Sequence, residues 1–152
     1  MDAVAVVALV AGILVFVALA FVVAMIPVRR RAQRLGAALE EELGEGIVRR
    51  ANAQGLGLES RGPTQVRGNG WLALTADELR FRQWVPERDT AIPLAAITDV
   101  ATPRVWLGKS VGSRLLCVRW RTPDGGEDAM AWAARDLEGW LAEIEAARPV
   151  RR

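Results

Sequence analysis

Residues 3–28 are an unbroken run of Ala, Val, Leu, Ile, Phe and Met, interrupted only by Gly12 and Pro27, and none of them is charged. Wound as a helix at about 1.5 Å per residue, such a run reaches about 39 Å. The hydrocarbon core of a bilayer is about 30 Å thick, so the segment spans it with length to spare. Only Asp2 precedes the run, whereas Arg29, Arg30, Arg31 and Arg34 follow it at once. Cytoplasmic flanks carry the Arg excess. This order therefore predicts a single-pass anchor in the inner (cell) membrane, N-terminus outside and the rest of the chain cytoplasmic. A cleaved signal peptide fits less well, because it carries its positive charge before a shorter apolar core. Ala5, Ala8 and Gly12 repeat small residues at spacings of three and four, a pattern through which two helices can approach and the chain could self-associate. Ala and Gly are common in any such span, so the pattern is weak.

Beyond the anchor, residues 29–43 keep helix-forming composition. Ala32, Leu35, Leu39 and Leu43 make a narrow apolar stripe, and the basic turn is answered by Glu40, Glu41, Glu42 and Glu45. The basic turn suits anionic headgroups, each Arg near such a surface contributing about 1 kcal/mol; a plain stop-transfer flank explains it equally well. Residues 44–69 are glycine-rich and read as linker and turns, with one possible irregular strand over 47–60.

From Trp71 onward the hydrophobic period changes to two. Leu72 and Leu74 alternate with Trp71, Ala73 and Thr75; after a turn at Ala76-Asp77, Leu79 and Phe81 alternate with Arg80 and Arg82. Residues 91–94 and 97–102 give two more short strands, the second halted by Pro103. In 114–121, Leu116, Val118 and Trp120 face one side. Thr122-Pro123-Asp124-Gly125-Gly126 is a turn, and 128–133 returns as its partner. Leu137, Trp140, Leu141 and Ile144 then mark one face of a closing helix over 135–147, stopped by Pro149. The chain thus divides into a transmembrane helix (3–28), a juxtamembrane helix (29–43), a linker (44–69) and a mainly antiparallel β domain with a C-terminal lid helix (70–148).

Residues 68–148 resemble the bacterial pleckstrin-homology-like (GRAM-like) domains found on membrane-anchored proteins. The resemblance rests on Gly70-Trp71-Leu72-Ala73-Leu74-Thr75, Leu79-Arg80-Phe81, Ile92-Pro93-Leu94 with Ile97-Thr98-Asp99-Val100, the Leu115-Leu116-Cys117-Val118 strand and Trp140. It implies a seven-stranded open barrel, or orthogonal sandwich, with a lid helix at one end. The seventh strand would come from 47–60. These motifs speak for fold and hardly for activity.

Composition narrows the chemistry. The chain has no His, so Ser-His-Asp and Cys-His hydrolysis lack their base. One Cys and no His put a zinc site out of reach, and no metal or cofactor is implied. Cys117 has no partner for an internal disulfide and reads as a small, partly buried strand residue. Gly108-Lys109-Ser110 lacks the earlier glycine of a P-loop, Pro103 standing in its place. Asp77-Glu78 and Glu127-Asp128 are paired carboxylates beside turns, positions that solvated residues usually occupy. Arg80-Phe81-Arg82-Gln83-Trp84 and Arg119-Trp120-Arg121 interleave cations with aromatics as single-strand binders do. From residue 65 onward, though, 13 basic residues meet 12 acidic ones, which gives no electrostatic funnel for nucleic acid.

One basic segment stands apart. Arg104, Trp106, Lys109 and Arg114 fall within eleven residues that contain no acid. A basic hairpin bearing one Trp suits a lipid headgroup, since Trp favours the membrane interface; a Trp folded back on its own sheet explains the same residues. The leading expectation is a non-enzymatic binding or scaffolding module, membrane-anchored and docking membrane-protein partners. A headgroup sensor on the 104–114 hairpin is the alternative.

Overall fold

The computed structural model describes residues 3–149; Asp2 of the N-terminal flank lies outside them, as do the side chains of residues 3–5, Ala5 included. Two units make up the chain, Met1–Arg34 and Leu35–Arg152.

The described residues of the first unit are all helical. Helix α1 runs over Ala3–Leu43 without a break at Pro27, so the anchor and the juxtamembrane segment are one element rather than two. One N-terminal helix is therefore long and apolar enough to cross a membrane. Its large side chains are uncovered, with Phe16 73%, Val7 68% and Phe21 67% exposed. A soluble monomer rarely leaves so much contiguous apolar surface in water. Ala8 and Gly12 are exposed too, and a Cβ on Gly12 would meet nothing within 4 Å.

The second unit is a seven-stranded antiparallel sheet closed by a short helix. The strands are β1 (Ile47–Leu58), β2 (Gly68–Thr75), β3 (Glu78–Trp84), β4 (Glu87–Pro93), β5 (Ile97–Ala101), β6 (Leu116–Arg121) and β7 (Glu127–Ala134); helix α2 is Leu137–Ala147. They are ordered β4-β3-β2-β1-β7-β6-β5, which leaves β4 and β5 as open edges. The segment expected to be mostly linker thus supplies the central strand. β1 is twelve residues long and joins the two halves of the sheet. The expected helix over 135–147 begins at Leu137, after Asp136 caps it by accepting from the Gly139 N–H at 3.2 Å.

Alternation assigns the two faces. Leu72 and Leu74, Leu79 and Phe81, Ile92, Leu116 and Val118, and Met130 and Trp132 form one core with Trp140 and Ile144 of α2. β3 and β7 lie three strand spacings apart, about 14 Å in a flat sheet. Even so, the rings of Phe81 and Trp132 meet edge-on at 5.9 Å between centroids. The sheet must therefore coil around its own core. Gly55 and Gly70 permit this, because a Cβ at either would stand 2.8 Å from the Phe81 ring.

β1 also carries a bulge. Gly55 pairs with Trp132 and Leu58 with Met130, so β1 uses one residue more than β7 over this stretch. Gly57, at φ +111°, absorbs the extra residue in a conformation that favours glycine. Period two leaves Leu56 on the outer face with Asn52 and Gln54, and the extra residue returns Leu58 to the core.

Candidate functional site

The outer face of the sheet is where chemistry-bearing residues collect, and register explains their grouping. One cross-strand row reads Arg50–Ala73–Arg80–Ala91, and the next reads Asn52–Trp71–Arg82–Asp89. The last turns of α1 lie on these rows. Gly36 and Leu39 are buried, and the expected stripe Ala32, Leu35, Leu39 and Leu43 contains the least exposed side chains of this part of the helix. Arg50 reaches Glu40 at 2.5 Å and stacks its guanidinium over Trp71 at 4.5 Å. Glu42 receives Arg80 and Arg82, each at 2.6 Å, and both also reach Asp89, at 2.7 and 2.8 Å. These guanidinium hydrogen bonds, that of Arg82 foremost, hold the Glu42 carboxyl below its ordinary range. Burial pulls Asp89 upward, but its bonds to Arg80 and Arg82 outweigh that and keep it low. Two of the cations that suggested a stacking platform are thus engaged within the fold.

The expected hairpin at 104–114 is a long loop between β5 and β6 with one tight turn. Trp106 and Lys109 exchange two backbone hydrogen bonds of 2.9 and 2.8 Å around Leu107 and Gly108. Both side chains turn inward to the β1 bulge. The Trp106 indole N–H donates to the Gly57 carbonyl at 2.9 Å, and the Lys109 ammonium donates to the Leu56 carbonyl at 3.2 Å. Beneath them Leu56, Leu115, Cys117 and Ala131 form a second small core with Trp106 and Val111. Arg104 and Arg114 remain exposed. The four headgroup candidates are therefore split, two as staples of the bulge and two on the surface. Arg29, Arg30, Arg31 and Arg34 lie exposed on α1.

The paired carboxylates are dispersed. Asp77 and Glu127 are exposed, and Glu78 meets Arg80 at 3.3 Å. Asp128 is buried and accepts from the Ser60 N–H and hydroxyl at 3.0 and 2.7 Å and from the Ala129 N–H at 2.8 Å. Arg119 is held by Glu59 at 2.6 and 3.1 Å. Burial pushes the Cys117 thiol up to about 11. Among the described residues, no three His, Cys, Asp or Glu side chains are placed to share a metal ion.

Between Trp84 and the β5–β6 loop the outer face opens into a groove of 530 Å³. Its floor is a patch of side-chain amides, Asn52 and Gln54 of β1 with Asn69 of β2, and Arg135 closes the end beyond β7. Gln54 and Asn69 are register partners whose amides touch at 3.4 Å. Sequence reasoning missed these residues because Asn52, Gln54 and Asn69 sit in the glycine-rich stretch taken as linker. Period two applied to the possible strand over 47–60 puts Asn52 and Gln54 on one face, but Asn69 lies in the part read as linker and turns.

No protein-family model matches this sequence, and no curated protein does. Solved structures do resemble it. A chain of the 8S snRNP assembly intermediate is 12% identical with a TM-score of 0.54, the match covering 70% of this chain and 87% of that one. The C-terminal domain of an unknown protein from Leishmania infantum is 14% identical at a TM-score of 0.49, with 74% and 96% covered. A structure from work on SsgB of Streptomyces coelicolor is 17% identical at 0.32, with 65% and 88% covered. At 12% identity the first of these speaks for shared fold alone. By fold the chain is a seven-stranded antiparallel open sheet with a C-terminal helix, preceded by one long apolar helix.

Proposed function

We propose that this chain is a membrane-tethered, non-enzymatic binding module. In this reading α1 crosses the inner membrane with its N-terminus outside, and the β domain docks partner proteins of the same membrane at the cytoplasmic face. The observation that carries it is the way α1 ends: Gly36, Leu39, Glu40 and Glu42 are built into the outer face of the sheet. Anchor and module thus share one element, and tethering already concentrates the module at the membrane, where even weak contacts suffice. The Arg29–Arg34 flank supports the cytoplasmic orientation. Seven antiparallel strands followed by a helix agree with the resemblance to pleckstrin-homology-like domains. The engagement of Asp128 with Ser60 and of Glu78 with Arg80 supports a structural rather than catalytic part for those carboxylates.

Headgroup sensing is the second reading. It would have to rely on Arg104 and Arg114, since Trp106 and Lys109 hold the bulge. Co-sedimentation of Leu35–Arg152 with anionic and neutral vesicles at two salt concentrations separates the two. The binding-module reading predicts no sedimentation with either lipid. Salt-sensitive sedimentation with anionic vesicles alone, lost on Arg104→Ala with Arg114→Ala, would install the lipid reading instead.

A further inference from the structure

The groove on the outer face has a composition that selects its ligand. Asn52 is exposed on its floor, and its amide has no hydrogen-bond partner among the described residues. Beside it, Gln54 and Asn69 hold each other only loosely at 3.4 Å. A side-chain amide offers a donor and an acceptor in one plane, the same pair that a peptide unit presents. Trp84 forms one wall, and its indole N–H is buried with no hydrogen-bond partner. The indoles of Trp132 and Trp140 are likewise unmatched but sit in the core; Trp84 is the one of the three that lines the groove. At the far end Arg135 is exposed and makes no ion pair among the described residues, while its neighbour Asp136 is held by Arg49 at 2.5 Å. No carboxylate lines the groove.

These features exclude some occupants by chemistry. Phosphate recognition gathers several cations or a cluster of backbone N–H groups, whereas this groove holds one guanidinium over neutral amides. A basic segment would face Arg135 unscreened. A neutral amide floor ending in one unopposed cation fits a chain of peptide groups that ends in a carboxylate.

We propose that the groove binds an extended acidic segment of a partner protein, its backbone lying over Asn52, Gln54 and Asn69 and its carboxylate at Arg135. The inference deepens the binding-module reading and rests on it. Followed along the coiled sheet, Trp84 on β3 and Arg135 beyond β7 are three strand intervals apart, about 14 Å of arc. An extended peptide covers that distance with about four residues at about 3.3 Å each. Because the segment crosses the strands, side chains rather than a sheet edge read it, unlike strand addition.

The test uses the full chain in neutral-lipid nanodiscs, probed on an immobilised array of tetrapeptides with acidic, neutral or basic residues at either terminal position. The expected result is retention on peptides acidic at one end only. Arg135→Glu should reverse that preference towards basic peptides, and Asn52→Ala should weaken retention about tenfold, the scale of one charge-assisted or bidentate bond. Retention unaffected by Arg135→Glu, or no dependence on peptide charge, overturns the proposal. A photo-crosslinking residue at Asp99, on the exposed β5 edge, separates this failure from failure of the module reading. Crosslinks to a membrane protein from Asp99, with a silent array, remove the groove and leave the module; silence from both removes both.

Discussion

The backbone of Gly36 lies directly against the indole of Trp71: a Cβ on Gly36 would stand 2.8 Å from Trp71 Nε1 and 3.1 Å from Cε2. The indole has little room to yield, since Arg50 covers it at 4.5 Å and Trp84 meets it edge-on at 6.0 Å. Gly36→Val in the full chain should therefore lift the end of α1 from the sheet. Overpacking of this kind costs about 1–3 kcal/mol. Urea unfolding in detergent, followed by tryptophan emission, should show the lower midpoint and a red-shifted native spectrum. A spectrum and midpoint identical to wild type would contradict the contact.

The domain begins earlier than its β-period suggests. β1 pairs with both β2 and β7, so a fragment that starts at Gly62 loses the strand that joins the two halves of the sheet. Leu35–Arg152 should give a cooperative unfolding transition and dispersed amide resonances. Residues 62–152 should give neither, and a folded short fragment would overturn the strand order described above.

Acid should release the end of α1. The folded-state pKa values of Glu42 and Asp89 lie below their ordinary 4.5 and 3.8. A group depressed in this way contributes stability that is complete above its unfolded pKa and is lost as pH falls through the folded value. Melting temperature should therefore hold from neutral pH down to about pH 5 and decline below the unfolded range near 4.5. Glu42→Gln should flatten part of that decline. An unchanged profile in the variant would show that Glu42 does not contribute.

The β5–β6 loop makes a contrast among its own residues. Trp106→Ala removes the donor to Gly57 and the lid of the second core, and should destabilise by about 2–4 kcal/mol. Arg104→Ala and Arg114→Ala remove exposed side chains and should stay within about 0.5 kcal/mol. Denaturant midpoints of the three variants test the division directly; equal losses would contradict it.

Cys117 is buried, with its thiol pushed up to about 11 by loss of solvation. The thiolate is the reacting species. At pH 8 an aromatic disulfide reagent should therefore label the native domain at least tenfold more slowly than the denatured one. Equal rates would mean that β6 opens far more readily than its place between β5 and β7 implies.

Much of this fold was legible in the sequence, for a physical reason. Period-two alternation in 71–82 and 116–121 survives because one face of each strand is buried against a common core. The stripe Leu137, Trp140, Leu141, Ile144 likewise marks α2. β1 was obscured by the requirements of a coiled sheet. Gly55 must make room for Phe81 and Met130, and Gly57 must take a positive φ at the bulge, so the central strand carries the glycines of a linker. The bulge also breaks the alternation, turning Leu58 inward although Leu56, two residues before it, faces outward. Of the candidate site, the 104–114 segment was visible as a basic cluster. Its sequence could not show that two of its members are tied to carbonyls some fifty residues away. The amide groove depended on β1 and was hidden with it.

In the proposed arrangement α1 crosses the membrane and leaves the β domain on the cytoplasmic side. Protease treatment of sealed membranes carrying the full chain with a C-terminal epitope separates the two orientations. The epitope should be lost in inside-out vesicles and protected in intact right-side-out spheroplasts, and the chain should stay in the membrane after an alkaline wash. Cleavage in spheroplasts with protection in inside-out vesicles would reverse the orientation, and release by the wash would remove the anchor.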